Sequence, residues 1–232
     1  MSYTPASTST GPATPLGRAG QIKIAVALVL VGGAIGLFVV FTRVPAVAVP
    51  PEPYQALGQV LAEEAAKVLG PERRVALIAP NTSAFPNPAA DYLAEGFFRA
   101  ARDLQLNIVG TNWIELDPIR LVRVPPGDYL EVLRKRSEND VVVSFLGPPL
   151  LSDEQRAKLA GKAPRIVALC AGNLPRQTNL KALFERNLLH VAVISRPNPA
   201  PGQPTAQGAR AWFDQCYQIV TRANLADLPT PP

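Results

Sequence analysis

The feature that most constrains this chain is an uncharged apolar run, IAVALVLVGGAIGLFVVFT at residues 24–42, bounded by Lys23 and Arg43. A helix over it rises 1.5 Å per residue and spans roughly 28 Å, close to the thickness of a bilayer's hydrocarbon core. The run therefore predicts a transmembrane helix over 22–43 and splits the chain into a short tail and a long remainder. A cleaved signal peptide is the competing reading, because Ala46-Val47-Ala48 is an A-x-A-like site. The length of the run, with Arg43 and Pro45 just ahead of that site, favours an uncleaved anchor. Gly32 and Gly36 form a GxxxG pair, a spacing that lets a second transmembrane helix approach closely.

Charge sets the expected orientation. Arg18 and Lys23 precede the run, whereas Arg43 follows it alone until Lys67. The positive-inside rule then keeps the tail in the cytoplasm and places everything after the span outside. Few lysines beside many Ala, Pro and Arg suggest a bacterial source, so the expected location is the inner membrane, with the domain on the periplasmic side. The net charge is +5, but all 18 acids lie beyond residue 51, where they nearly balance the bases. A domain so close to neutral lacks the electrostatic footprint of a nucleic-acid binder. The densest basic run, Arg134-Lys135-Arg136, falls at a predicted helix C-terminus, where cations complement the helix dipole.

Residues 1–21 are rich in Ser, Thr, Pro and Gly, too poor in large apolar groups to order alone, so this tail is expected to be disordered or held by a partner. A Pro-rich spacer, 44–53, leads into a domain over 54–224, and 225–232 form an irregular C-terminal tail. Within the domain, short Val/Ile/Ala runs alternate with amphipathic segments. Helices are predicted over Tyr54–Leu69, from Pro88 behind an Asn87 cap, from an Asp128/Glu131 capping box to Arg136, from a Ser152/Gln155 box to Ala160, over Leu180–Arg186, and over about 205–222. Strands are predicted at 75–79, 106–110, 141–145, 165–170 and 190–195, with an extra hairpin or edge strand in 112–124. Apolar strands alternating with helices mean a five-stranded, mainly parallel sheet covered by helices on both faces, in the order 2-1-3-4-5.

In such a sheet ligands bind beyond the carboxyl ends of the strands. The loops there supply Asn81, Thr82, Ser83, Asn173 and Arg196 as candidate ligand-binding residues, with Gly147-Pro148-Pro149 between them. No GxGxxG or Walker loop follows the first strand, so no nucleotide cofactor is expected. That strand ends in Ala79-Pro80, which excludes the carboxylate of a phosphoacceptor site. Ser83 and Cys170 are candidate nucleophiles only if a base stands nearby, and the single histidine, His190, opens its strand at the opposite sheet edge. The two cysteines, Cys170 and Cys216, have no metal-ligand spacing but could pair in an oxidising compartment. No metal site is expected. Asn81-Thr82-Ser83 also matches a glycosylation sequon, of consequence only in a eukaryotic secretory setting.

The segments RRVALIAPNTSAFPNPAADYLAEGFFRAARDLQLNIVG (73–110) and NDVVVSFLGPPLLSDEQRAKL (139–159) resemble one lobe of the type I periplasmic binding proteins. That resemblance implies the fold; those proteins close two lobes over a solute, whereas this chain shows one alternating set, so no binding residue carries over. Three functions then compete. The first is a non-catalytic accessory subunit of a membrane complex, respiratory, photosynthetic or otherwise energy-transducing, with other subunits and their transmembrane helices as partners. The alternative is a membrane-tethered domain that binds or senses a small ligand. An enzyme is the least supported.

Overall fold

The computed structural model describes residues 28–34, 36–38, 49–84, 86–115, 124–159, 163–197, 202, 204 and 208–228, and the chain divides into two units, Met1–Ala48 and Val49–Pro232. In the first unit, residues 28–34 and 36–38 form a helix, α1, whose Leu28, Val29, Leu30, Val31 and Leu37 are exposed. No helix among the described residues is long and apolar enough to cross a membrane. The rest of the expected span over 22–43, and the expected tail over 1–21, lie outside the described residues.

The second unit is an α/β domain with the order α2 (Pro51–Lys67), β1 (Arg74–Asn81), α3 (Pro88–Asp103), β2 (Asn107–Glu115), α4 (Pro126–Arg134), β3 (Val141–Ser144), α5 (Asp153–Leu159), β4 (Arg165–Cys170), α6 (Leu174–Gln177), α7 (Leu180–Glu185), β5 (Val191–Ser195), α8 (Ala209–Cys216) and β6 (Tyr217–Thr221), closed by a 3-10 helix, Arg222–Asp227. The sheet order is β2-β1-β3-β4-β5-β6. All neighbours are parallel except β6, which pairs antiparallel with β5, Val193 opposite Ile219.

In the central strands the side chains alternate between two cores, as period-two geometry requires. Ile78, Val142, Ile166, Ala192 and Val220 face Tyr129, Leu133 and Leu183. Leu77, Val143, Val167 and Val193 face Leu61, Phe97 and Phe213 on the other side. The central strands are buried on both faces, Val75–Ala79 and Ile166–Ala168 almost completely, which explains their unbroken apolar runs. Phe97 stacks edge-on against Phe145 at a centroid distance of 5.5 Å.

Five expectations are corrected. The sheet has six strands, not five, because the expected helix over 205–222 stops at Cys216 and Tyr217–Thr221 continue as β6. Tyr217, Ile219, Val220 and Thr221 are aromatic or β-branched, and without them β5 would leave an unpaired edge. The expected spacer over 44–53 is shorter, since α2 starts at Pro51, a residue type pre-shaped for a first helical turn. Asp128 and Glu131 form no capping box: α4 begins earlier, with Pro125 in the cap position and no side-chain cap. The second strand runs to Glu115 rather than ending at Gly110, absorbing the start of 112–124, while residues 116–123 lie outside the described set. The 3-10 helix likewise extends order into the expected tail over 225–232.

Other caps form as expected. Asn87 accepts from the Ala90 amide at 3.3 Å. Ser152 and Gln155 bond reciprocally, Ser152 N to Gln155 Oε1 at 2.9 Å and Gln155 N to Ser152 Oγ at 3.2 Å.

Candidate functional site

The strand order reverses between β1 and β3: β1 connects outward to β2, and β3 connects the other way to β4. A crevice opens beyond the carboxyl ends at such a reversal. One side of it is the end of β1. Pro80 is tolerated inside this central strand because the β1–β3 ladder has already ended at Ile78–Ser144, so its missing N–H leaves no acceptor unserved. Asn81 then folds the chain over: its Oδ1 accepts from Ser83 N at 3.0 Å, an Asx turn, and its Nδ2 donates to Glu115 Oε1 at 2.5 Å. Thr82 Oγ1 donates to Asp91 Oδ1 at 2.8 Å on the first turn of α3.

The other side is the loop after β3, where residues 145–149 are all buried. Ser144 Oγ donates to Gly147 O at 2.9 Å, and Gly147 adopts φ +70°. Only glycine fits there, because an added Cβ would lie 2.5 Å from Leu174 Cδ1 besides being strained at that φ.

Asn173 follows β4, exposed; its carbonyl accepts from Arg176 N, and its side chain forms no cap bond. Gly172 N donates to Ser195 Oγ at 3.2 Å, joining the ends of β4 and β5. Arg196 holds the fold together here. Its Nε donates to the carbonyls of Asp214 at 2.7 Å and Tyr217 at 3.0 Å, clamping the junction of α8 and β6. The five candidates thus share one sheet edge but not one point. With strands about 4.8 Å apart, β1 and β4 lie roughly 10 Å apart across β3, and β1 and β5 roughly 14 Å. Asn81, Thr82 and Ser83 form one cluster; Asn173 and Arg196 belong to a second.

The single histidine, His190, does not serve the candidate nucleophiles, since it stands at the opposite edge of the sheet. Cys170 is fully buried, and burial pushes its thiol far up, so it stays protonated. Both cysteines are free, Cys170 buried and Cys216 half-buried. His190 stands at the amino end of β5, where its Nδ1 accepts from Ile166 N at 3.2 Å. Burial, then the Arg165 charge, hold its pKa below the usual imidazole value. Among the described residues no three His, Cys, Asp or Glu side chains converge on a metal position.

Two further concavities lie on the helical layers. One, of about 450 Å³, is bounded by α2, α3 and α8, with Gln59, Arg99, Asp103 and Trp212 in its wall. The other, of about 380 Å³, runs between α4 and α5. The basic run at Arg134–Arg136 was its only sequence signal.

No family model matches the chain, and no curated protein does. Solved structures do match. A putative LacI transcriptional regulator from Bacteroides fragilis aligns with a TM-score of 0.50 and 10% identity over 75% of this chain and 61% of that one. A carbohydrate transporter solute binding protein from Agrobacterium radiobacter, in complex with D-arabinose, gives 0.47 and 12% over 75% and 61%. A periplasmic ribose ABC transporter protein from Conexibacter woesei gives 0.42 and 14% over 61% and 45%. The chain spans less than two thirds of the length of each. In fold, its α/β domain resembles one lobe of the type I periplasmic binding proteins.

Proposed function

We propose that residues 49–232 are a non-catalytic binding domain for a small polar solute, held at the carboxyl edge of the sheet and tethered to the inner membrane, on the periplasmic side, by the run at 22–43. The observation that carries this reading is the strand reversal between β1 and β3, which sets Asn81, Thr82 and Ser83 against the buried loop 145–149. Amides and hydroxyls with fixed neighbours suit a neutral polyhydroxyl ligand, because each Asn offers both donor and acceptor. Ser83 and Asn173, whose side chains have no hydrogen bond to a described residue, are the groups available to a ligand. Arg196, tied by its Nε, frames the site.

Titration calorimetry of the full chain in mild detergent with D-ribose and D-arabinose tests this; the two pentoses are small polyhydroxyl probes, named for two of the aligned structures. Saturable binding of either pentose, weakened at least tenfold by Ser83→Ala with Asn173→Ala, is expected. Absence of heat with both, or equal binding by the variant, overturns it.

A second reading, the accessory subunit, rests only on the spacing of Gly32 and Gly36, small residues four apart that let another helix approach closely. Gly32→Leu with Gly36→Leu would then lose co-purifying chains; retention of them removes that support.

A further inference from the structure

On the face of the sheet covered by α4 and α5 lies the groove of about 380 Å³. Its floor is apolar: Leu133 and Leu159 are buried and Leu130 is partly buried. Its rim is basic, formed by Arg134, Arg136 and Lys158, with Gln155 the neutral polar neighbour.

Three acids of α4 and α5 are already engaged. Glu131 pairs with Lys135 at 2.6 Å, Asp153 with Arg156 at 2.7 Å, and Glu154 with Lys158 at 2.7 Å. Arg134 and Arg136 have no carboxylate partner among the described residues. Arg136 is only partly exposed, and its Nε is sealed from solvent without any acceptor. That Nε has given up water without gaining an acceptor, while the rest of the part-exposed guanidinium remains open to a partner.

We propose that this groove is a binding site for a small amphipathic carboxylate, an apolar body seated on Leu130, Leu133 and Leu159 with its carboxylate on Arg134 and Arg136. A guanidinium presents a planar fork of N–H donors that matches a carboxylate's two oxygens. The volume is in the range of small-molecule sites. Lys158, half-neutralised by Glu154, adds a further positive field at the rim. The site is independent of the solute reading at the carboxyl edge and stands if that reading fails.

The probe is 4-fluorobenzoate, followed by fluorine NMR on the full chain in mild detergent against a protein-free detergent blank, with 4-fluorobenzamide as its uncharged isostere. Saturable binding of the benzoate with Kd below about 1 mM is expected, with the benzamide at least tenfold weaker. Arg134→Gln with Arg136→Gln should weaken the benzoate at least tenfold and leave the benzamide unchanged. Gln155→Glu supplies a variant in which folding is not at issue, since Glu serves the Ser152 cap equally well. It sets a carboxylate in the wall and should weaken the benzoate by a similar factor. No saturable binding, equal binding of the two probes, or a Gln155→Glu protein that binds the benzoate as wild type does, each overturns the proposal.

Discussion

At the crossing of α2 and α3, Gly58 and Gly96 let two backbones touch. A Cβ at Gly58 would stand 2.1 Å from Leu93 O and 2.6 Å from Phe97 N; one at Gly96 would stand 2.1 Å from Gln55 O. The obstructing atoms are backbone, so no side-chain rotation relieves the clash. Gly58→Ala must push the helices apart by more than an ångström to restore ordinary contact. That lifts Leu57 and Leu61, both fully buried, from the core they share with Phe97. Overpacking of this kind costs about 1–3 kcal/mol, and rigid neighbours on both sides place it at the upper end. Alanine's better helix propensity returns about 1 kcal/mol. The net loss is about 2 kcal/mol, or roughly 4–8 °C in Tm for a domain of this size.

Urea denaturation followed by tryptophan fluorescence measures the effect, since Trp212 lines the cleft beside α2. Gly127→Ala, with nothing within 4 Å and no positive φ, is the control and should be neutral or slightly stabilising. The double variant Gly58→Ala, Gly96→Ala should cost less than the sum of the two, because the first separation makes room for the second methyl. A Gly58→Ala protein as stable as wild type would refute the close crossing.

Three further outcomes follow from the geometry. The folded-state pKa of His190 is lowered, so its contribution is present above the unfolded value of 6.5 and is lost as pH falls below it; wild type should lose stability relative to His190→Asn as pH drops from 7 to 5, and a constant difference would sink the assignment. Asp140 is buried, with Oδ2 accepting from Ser137 N at 3.0 Å and Oδ1 facing Arg74 Nε at 3.2 Å. That second contact lacks hydrogen-bond alignment, and Arg74 is 38% exposed, so Arg74→Met should cost about 1–2 kcal/mol in chemical denaturation rather than the 3–5 of a fully buried pair. Cys216 should alkylate with iodoacetamide in the native protein while Cys170 stays protected until unfolding, and equal rates would contradict the burial of Cys170.

Local signals were legible wherever their physics is local. The unbroken apolar runs at 75–79, 141–143 and 166–170 announced strands buried on both faces, and Asn87-Pro88 and Ser152/Gln155 announced helix starts, because a cap needs only residues within one turn. The parallel sheet and the order 2-1-3-4-5 of the first five strands followed from that alternation and from crossover handedness. What the sequence left open was decided at a distance. Residues 209–221 carry Trp212, Phe213, Cys216 and Ile219 at helical spacing, yet the chain turns to strand at Tyr217, because the bare edge of β5 takes up those amides in a ladder no local pattern contains. Asp128 had a capping partner three residues on, but α4 starts three residues earlier, where Pro125 and Pro126 set the backbone. The glycine crossing of α2 and α3 was invisible for the same reason, and of the groove between α4 and α5 only the basic run at Arg134–Arg136 showed. Each exists only where side chains from separate elements meet, and tertiary packing alone determines that meeting.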